Sequence, residues 1–480
     1  MRKFLAISAG ICCLALAAAA SNDDAVRKDR FSRKLNTFNT IVKELQTNYV
    51  DTLNAVAIMD RTIDALLYQI DPYTEYYPAD NQDEILSISQ GQYAGIGSYI
   101  AKRGDKIIVS EPQWLSPARN AGLRPGDVIV AVNGDTVTPS TNVADVSKRL
   151  RGQAGTEVRV DVHRPYVADS ALSFNITRAN IKVNPLPYYG VRPDGVGYIR
   201  LTTFNESSSR HVREAMLAMM RDPNLKAIAI DLRGNGGGLL ESAVQIASYF
   251  VPKGTEILRT KGRNPRQERI YKTTGQPLDT SIPLAILIDE GTASSSEILA
   301  GSMQDLDRAV VVGERSFGKG LVQSTRPLPY DDLLKITTGR YYIPSGRLIQ
   351  ALDYSHRDDN GSPIRTPDSL TNEFSTRAGR IVRDGGGITP DVKVTLPESN
   401  RLLYNIVADM WAFDFANRYY AEHPDSIPSD SLVVGDEIFE AFKASIDPDR
   451  FKYDKQCETG IDYLRKAAVA EGYMNDSVAA

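Results

Sequence analysis

One pattern restricts the fold more than any other. Residues 226–232 run largely apolar, glycines follow at 234, 236, 237 and 238, and helical spacing takes over from 239 to 250. A short apolar run closed by a turn is the mark of a strand covered on both faces. The pattern recurs, with a second buried strand over 284–289 and a helix beginning near Ser294. Strands alternating with helices from about Tyr198 predict an α/β core. Residues 254–281 are polar, basic and turn-rich, and read as an excursion from that core. Residues 328–350 read as strands and loops returning to it.

The chain has 480 residues, enough for several domains. Helical spacing joins Phe38, Ile41, Val42, Leu45 and Tyr49, then Met59, Ile63, Leu66, Leu67 and Ile70, and stops at Asp71-Pro72. This makes 21–90 a helical segment whose residues 73–80 read as a tyrosine-rich loop. Residues 91–180 change character to short alternating strands over 106–110, 127–132 and 157–162, with a tight-turn signal at Asn133-Gly134. They read as an inserted β-rich module, which leaves 181–394 for the core. Over 395–480, Leu402, Leu403, Ile406, Met410 and Trp411 share one helical face, and Ile438, Phe439 and Phe442 another. Pro424 and Pro428 mark a linker between them.

The first 20 residues follow another logic. Arg2 and Lys3 precede an apolar run to Leu16 and then Ala17 to Ala20, the order of a secretory signal. The run is short for a membrane span of about 20 residues. Cleavage after Ala20 is expected, with a membrane-anchored form as the alternative. Removing residues 1–20 takes two of the 56 Lys/Arg and none of the 60 Asp/Glu, so the remainder carries about −6. That charge argues against a nucleic-acid partner. Cys457 is then the one cysteine left, so no internal disulfide can form. Four scattered histidines and no cysteine cluster predict no metal site.

Two strand-to-helix junctions carry candidate chemistry. Asp231-Leu232-Arg233-Gly234-Asn235-Gly236-Gly237-Gly238 can aim several N–H groups at one anion beside a helix start, or can simply be a tight turn. The dinucleotide fingerprint G-x-G-x-x-G fails at Leu239. At the second junction, Ser294 and Glu297 fit the S-x-x-E capping box. A catalytic reading of Ser294 needs a base to take its proton. Lys319, in Ser316-Phe317-Gly318-Lys319-Gly320, is the nearest downstream candidate. Only about 0.04% of an ordinary lysine is neutral at pH 7, and burial raises that fraction. Phe317 and Leu321 are candidates to supply the burial, and Gln323 to orient the amine. Residues 313–320 nearly match the nucleotide-binding G-x-x-x-x-G-K-[ST], but Gly320 stands where the Mg²⁺-binding hydroxyl is required.

Taken in order, these motifs resemble the carboxyl-terminal processing, or tail-specific, proteases, which are Ser–Lys enzymes with an inserted PDZ domain. The resemblance spans roughly 35–394. Asp71-Pro72-Tyr73-Thr74-Glu75-Tyr76 is similar to the family's D-P-H-S-x-Y, and Tyr93-Ala94-Gly95-Ile96-Gly97 to its carboxylate-binding loop. Ala121-Gly122-Leu123-Arg124-Pro125-Gly126-Asp127 is similar to the PDZ signature. Residues 231–238 fit D-x-R-x-N-x-G-G. The serine segment fits S-A-S-A-S-E, with Thr292 and Ser295 as departures. Phe317-Gly318-Lys319-Gly320 with Gln323 fits F-G-K-G-x-x-Q, and 387–391 the closing G-I-x-P-D.

The resemblance implies a Clp protease/crotonase-like core with an inserted PDZ domain. In the family the nucleophile stands 25 positions before the lysine, which points to Ser294 ahead of Lys319. Lys319 would be the general base and Gln323 its orienter. The N–H groups of Ser295 and Gly237 would hold the oxyanion, and Gly95, Ile96 and Gly97 the substrate's terminal carboxylate. It implies no cofactor. Partners would be proteins or peptides with free C-termini, with an adaptor or a second copy as a further partner through 395–480. The location implied is beyond an inner membrane, in a bacterial periplasm. The reading from another class is a catalytically weak peptide-binding scaffold or chaperone.

Overall fold

The computed structural model describes residues 28–79, 82, 91–167, 171–394, 401–423 and 434–446. The expected signal segment 1–20, Pro424, Pro428 and Cys457 lie outside them. The chain divides into two units: residues to Tyr77 with Gln323–Thr337, and Pro78–Val322 with Thr338–Ala480.

In the first unit residues 28–48 are helical, and Ala55–Tyr68 is a second helix whose N-cap, Asn54, accepts the Ala57 N–H at 3.1 Å. Neither buries a side chain. The expected loop 73–80 is partly a strand: Glu75–Tyr77 pairs antiparallel with residues 333–335. The Asp71 carboxylate starts it, accepting the N–H groups of Tyr73 and Thr74 at 2.8 Å each. This Asx turn is local, but the pairing spans most of the chain and leaves no sequence pattern.

In the second unit, the six-stranded core sheet runs Tyr188–Val191, Val196–Arg200, Ala227–Asp231, Leu284–Ile288, Val310–Gly313 and Val392–Lys393. The first pair is antiparallel and the rest are parallel. Ile228, Ile230, Ile286 and Ile288 are buried, as the apolar runs predict. Helices Ser208–Met219, Leu240–Ala247 and Ser295–Asp305 connect the parallel strands. Every residue of Ser295–Asp305 is buried. It passes so close to its neighbours that a Cβ on Gly301 would lie 2.6 Å from Ile388 Cδ1.

Residues 254–281 are less of an excursion than expected. Glu256–Gly262 and Arg269–Lys272 form a hairpin, and the first of these also pairs with residues 339–342. The outer strand is four residues long and mostly exposed, so no apolar alternation announces it.

The β-rich module is present in the same unit. Ser98–Arg103, Lys106–Pro112, Val128–Val132, Glu157–His163 and Leu172–Thr177 form an antiparallel sheet in that order. Val158, Val160 and Val162 alternate inward with no exposure, the pattern read from the sequence. Asn133 and Gly134 turn with φ of 52° and 86°, the left-handed pair a tight hairpin demands. Helix Val143–Leu150 buries Val146 and Leu150 in this module's own core.

Helices Arg401–Ala408, Trp411–Glu422 and Asp436–Ser445 build a third small core from Ile406, Phe439, Phe442 and Ile446, with Trp411, Phe415 and Val434 against it. Among the described residues no helix is long and apolar enough to cross a membrane.

Candidate active site

Both glycine and serine junctions leave the carboxyl ends of neighbouring core strands, so the sheet brings them together. Their side chains stitch them. Ser296 Oγ donates to Asn235 O at 2.9 Å, and the Ala293 N–H to the same carbonyl at 3.0 Å. The two departures from the family pattern are braces: Thr292 Oγ1 donates to Leu232 O at 2.9 Å, and Ser295 Oγ to Gly238 O at 2.8 Å.

Close approach explains the glycines. A Cβ on Gly237 would lie 2.8 Å from Ala293 O and from Ser294 Cβ, and its φ is +101°. One on Gly238 would lie 2.0 Å from Phe204 O. The turn is anchored at its start by the buried Asp231, which accepts from Arg233 at 2.7 Å and from Tyr198 Oη at 2.6 Å.

Ser294 is the N-cap of Ser295–Asp305, at φ +57° and ψ −118°. A non-glycine residue there is strained, and strain of this kind persists only where surrounding contacts impose it. Here the capping Glu297 accepts the Ser294 N–H at 2.9 Å, and Tyr341 Oη lies 3.2 Å from the Ser294 carbonyl. The capping reading of Ser294 and Glu297 is therefore correct, but incomplete.

Glu297 is wholly buried, and each of its oxygens takes two donors. Oε2 accepts the N–H groups of Ser294 and, at 2.8 Å, Lys319. Oε1 accepts the Gly318 N–H at 2.7 Å and Ser316 Oγ at 2.5 Å. Burial pushes its carboxyl up to about 7, against the pull of those four donors. The tie from Glu297 to the lysine segment is one that sequence reasoning missed. The capping box is a local signal, whereas Lys319 lies 22 residues further on.

The lysine segment is held from several sides. Phe317 N–H donates to Thr292 O at 3.0 Å, and Ala351 N–H to Gly318 O at 2.9 Å. Lys319 is half-buried. Phe317, expected to shield it, is 39% exposed, because its backbone is pinned while its side chain is left outside. Gln323 falls in the other unit, where its amide donates to Thr337 Oγ1 at 3.2 Å.

The two expected oxyanion donors differ. The Ser295 N–H heads the helix and has no acceptor among the described residues. The Gly237 N–H is already engaged, donating to Asn235 Oδ1 at 2.9 Å. The Asn235 side chain closes an Asx turn over the glycine.

In the β-rich module, the carbonyls of Ile96 and Gly97 accept from Ala118 at 2.8 Å and Gln113 at 2.9 Å. Among the described residues the N–H groups of Ile96 and Gly97 have no acceptor. Gly97, at φ +71°, lies so close to Ser116 that a Cβ would sit 2.6 Å from Ser116 Cβ. The loop leads into Ser98–Arg103, the edge strand of its sheet, with Val143–Leu150 beside it.

The carboxy-terminal-processing protease of Bartonella bacilliformis is 32% identical over 324 residues, covering 67% of this chain and 73% of that one. This chain belongs to the carboxy-terminal-processing protease family. The model of peptidase family S41 matches residues 195–354, that of the PDZ domain 108–164, and that of the "Probable PDZ-protease, C-terminal helical domain" 402–480. A probable CtpA-like serine protease of Staphylococcus aureus is 33% identical over 319 residues, 66% of this chain and 62% of that one. Among solved structures, the photosystem II D1 C-terminal processing protease has 27% identity and a TM-score of 0.41, covering 75% of this chain and 87% of that one. The family is one of serine-type peptidases, and the β-rich module is its PDZ domain.

Proposed function

We propose that this carboxy-terminal-processing protease homologue is an endopeptidase that cuts proteins near their C-termini through a Ser294–Lys319 dyad. The observation that carries the reading is the double attachment of Ser294. It is held at a strained φ at the head of a buried helix, and Glu297 ties its backbone to that of Lys319.

In this reading the PDZ domain captures the substrate's terminal carboxylate at the N–H groups of the 95–97 loop, and the peptide adds as a strand beside Ser98–Arg103. Neutral Lys319 takes the Ser294 proton as the oxygen attacks a peptide carbonyl. The oxyanion is met by the Ser295 N–H, and by the Gly237 N–H once it exchanges Asn235 Oδ1 for the substrate oxygen. Such a donor is worth about 3–4 kcal/mol in the transition state. Lys319 then returns the proton to the leaving amine, and water hydrolyses the acyl-enzyme. Gln323 enters this proposal on the resemblance alone.

The proposal includes export across an inner membrane into a periplasm, supported by the basic, apolar and small order of residues 1–20. It includes docking of an adaptor or a second copy through 395–480, supported by the exposure of Tyr404 and Val407.

The test uses two peptides identical except that one ends in a free carboxylate and the other in an amide, with Ser294→Ala and Lys319→Ala as controls. Cleavage of the carboxylate form alone, lost in both controls, is the expected result. Full activity in Lys319→Ala overturns the dyad. Equal cleavage of both peptides removes the carboxylate-reading role. Tight binding without cleavage favours the scaffold reading.

A further inference from the structure

The serine and lysine of a dyad need a fixed separation, yet they sit on different segments. Ser294 ends the turn after Leu284–Ile288, and Lys319 lies in the loop after Val310–Gly313. Something must hold the two peptide units in register. A helix cap at Ser294 would hold only one of them.

Two buried side chains each touch both. Glu297 Oε2 accepts the N–H of Ser294 at 2.9 Å and the N–H of Lys319 at 2.8 Å. On the carbonyl side, Tyr341 Oη lies 2.5 Å from Lys319 O and 3.2 Å from Ser294 O. One residue thus grips the two N–H groups, and the other lies against the two carbonyls of the same pair.

Each gripping side chain is itself fixed. Glu297 sits at the third position of a fully buried helix, and its second oxygen is filled by Gly318 N–H and Ser316 Oγ. Ser316 Oγ in turn accepts the Ile388 N–H at 2.6 Å. Tyr341 is 1% exposed, is paired with Thr260 of strand Glu256–Gly262, and donates its own N–H to Gly320 O at 3.0 Å. Neither can shift without dragging a sheet or a helix. That is the condition for holding a reactive geometry.

Resting on the Ser294–Lys319 reading above, we propose that Glu297 and Tyr341 are positioning residues that together set the spacing of the nucleophile and its base. They contact no substrate; they act through the two backbones. The arrangement also rationalises the strain at Ser294, since the bonds that impose its φ are the bonds that align it with Lys319.

A displacement of about 1 Å at a reacting pair costs on the order of 100-fold in rate. The variants are chosen to loosen the grip without emptying the core. Tyr341→Phe deletes one hydroxyl. Glu297→Gln keeps one oxygen for Ser294 and Lys319, while its amide opposes the Gly318 N–H. The readout is the acylation rate of Ser294 by a small p-nitrophenyl ester, which needs no PDZ capture, with the acyl group located by mass spectrometry. Peptide cleavage and the PDZ affinity for a carboxylate peptide are measured alongside.

Each single variant is expected to lower acylation about tenfold, and the double variant about 100-fold. The loss should fall in kcat, with KM and peptide affinity near those of the parent, and in Tyr341→Phe the thermal unfolding midpoint near the parental value too. A purely structural role would instead lower the unfolding midpoint and leave the folded fraction fully reactive; that result overturns the proposal. Wild-type acylation in the double variant, or a loss confined to KM, overturns it too. If Glu297→Gln does not fold, Tyr341→Phe decides alone, and undiminished acylation in it is fatal to the idea. Absence of acylation in the parent protein has a different meaning, because it sinks the Ser294–Lys319 reading itself.

Discussion

Two glycine turns in this protein stand in different states. In the PDZ loop the carbonyls of Ile96 and Gly97 are bonded inward, and their N–H groups are left without acceptors among the described residues. In the core turn Asn235 has folded over and taken the Gly237 N–H at 2.9 Å. Glycine lets both backbones take a positive φ and approach a neighbour closely. What differs is whether a side chain two residues away competes for the donor. Under the proposed function, the PDZ loop would meet a carboxylate that arrives fully charged. Under the same proposal, the core turn would surrender a hydrogen bond to an oxyanion that exists only during reaction. A site of the second kind favours the transition state over the resting carbonyl.

The sharpest way to break this comparison is Gly237→Ala. The added Cβ would press on Ala293 O and Ser294 Cβ at 2.8 Å and oppose a φ of +101°. Cleavage is expected to fall on the order of 10²–10³-fold, the scale of a lost oxyanion donor. Peptide capture by the PDZ domain should not change. Calorimetric titration of a carboxylate-ended peptide beside a cleavage assay separates the two. Loss of binding along with cleavage would mean the turns are not independent.

A second test concerns Glu297, which holds the core site together. Its carboxyl rises from an ordinary 4.5 to about 7. Between those values the folded state binds a proton that the unfolded chain has released. This group's contribution to stability is therefore present at low pH and lost as pH climbs towards 7, by about 3 kcal/mol. Glu297→Gln should flatten that slope. Urea unfolding at pH 5 and pH 7.5 reads it, and equal slopes in parent and variant would remove the raised carboxyl from the explanation.

The smallest effect is expected in the other turn. Gly97→Ala places a Cβ 2.6 Å from Ser116 Cβ at a φ of +71°. Strain of 1–3 kcal/mol should weaken capture of the carboxylate peptide about tenfold. Acylation by a small ester should stay at the parental rate. A slowed ester reaction would show that the loop speaks to the dyad.

Local chemistry explains which parts were legible before the structure. The buried strands Ala227–Asp231 and Leu284–Ile288, the alternating Glu157–His163 and the Asn133-Gly134 turn each announce themselves within a few residues. Strand Glu75–Tyr77 does not, because its partner lies more than 250 residues away. Arg269–Lys272 does not, because it is only four residues long and largely exposed. Phe317 was expected to shield Lys319 from its composition alone, and the pinned backbone leaves the ring outside. Tyr341 offers no signal at all beside an ordinary strand tyrosine.

The sequence by itself carried the alternation of buried strands and helices in the core, the resemblance to the family and the inserted PDZ module. These depend on spacing and on local backbone demands, which a chain carries along its length. Only the tertiary structure decided that Glu297 and Tyr341 both reach Ser294 and Lys319, that Asn235 occupies the Gly237 donor, and that Phe317 is exposed. Those outcomes depend on which distant segments pack together, and a carboxylate or hydroxyl acquires its partners only when the sheet brings them within about 3 Å.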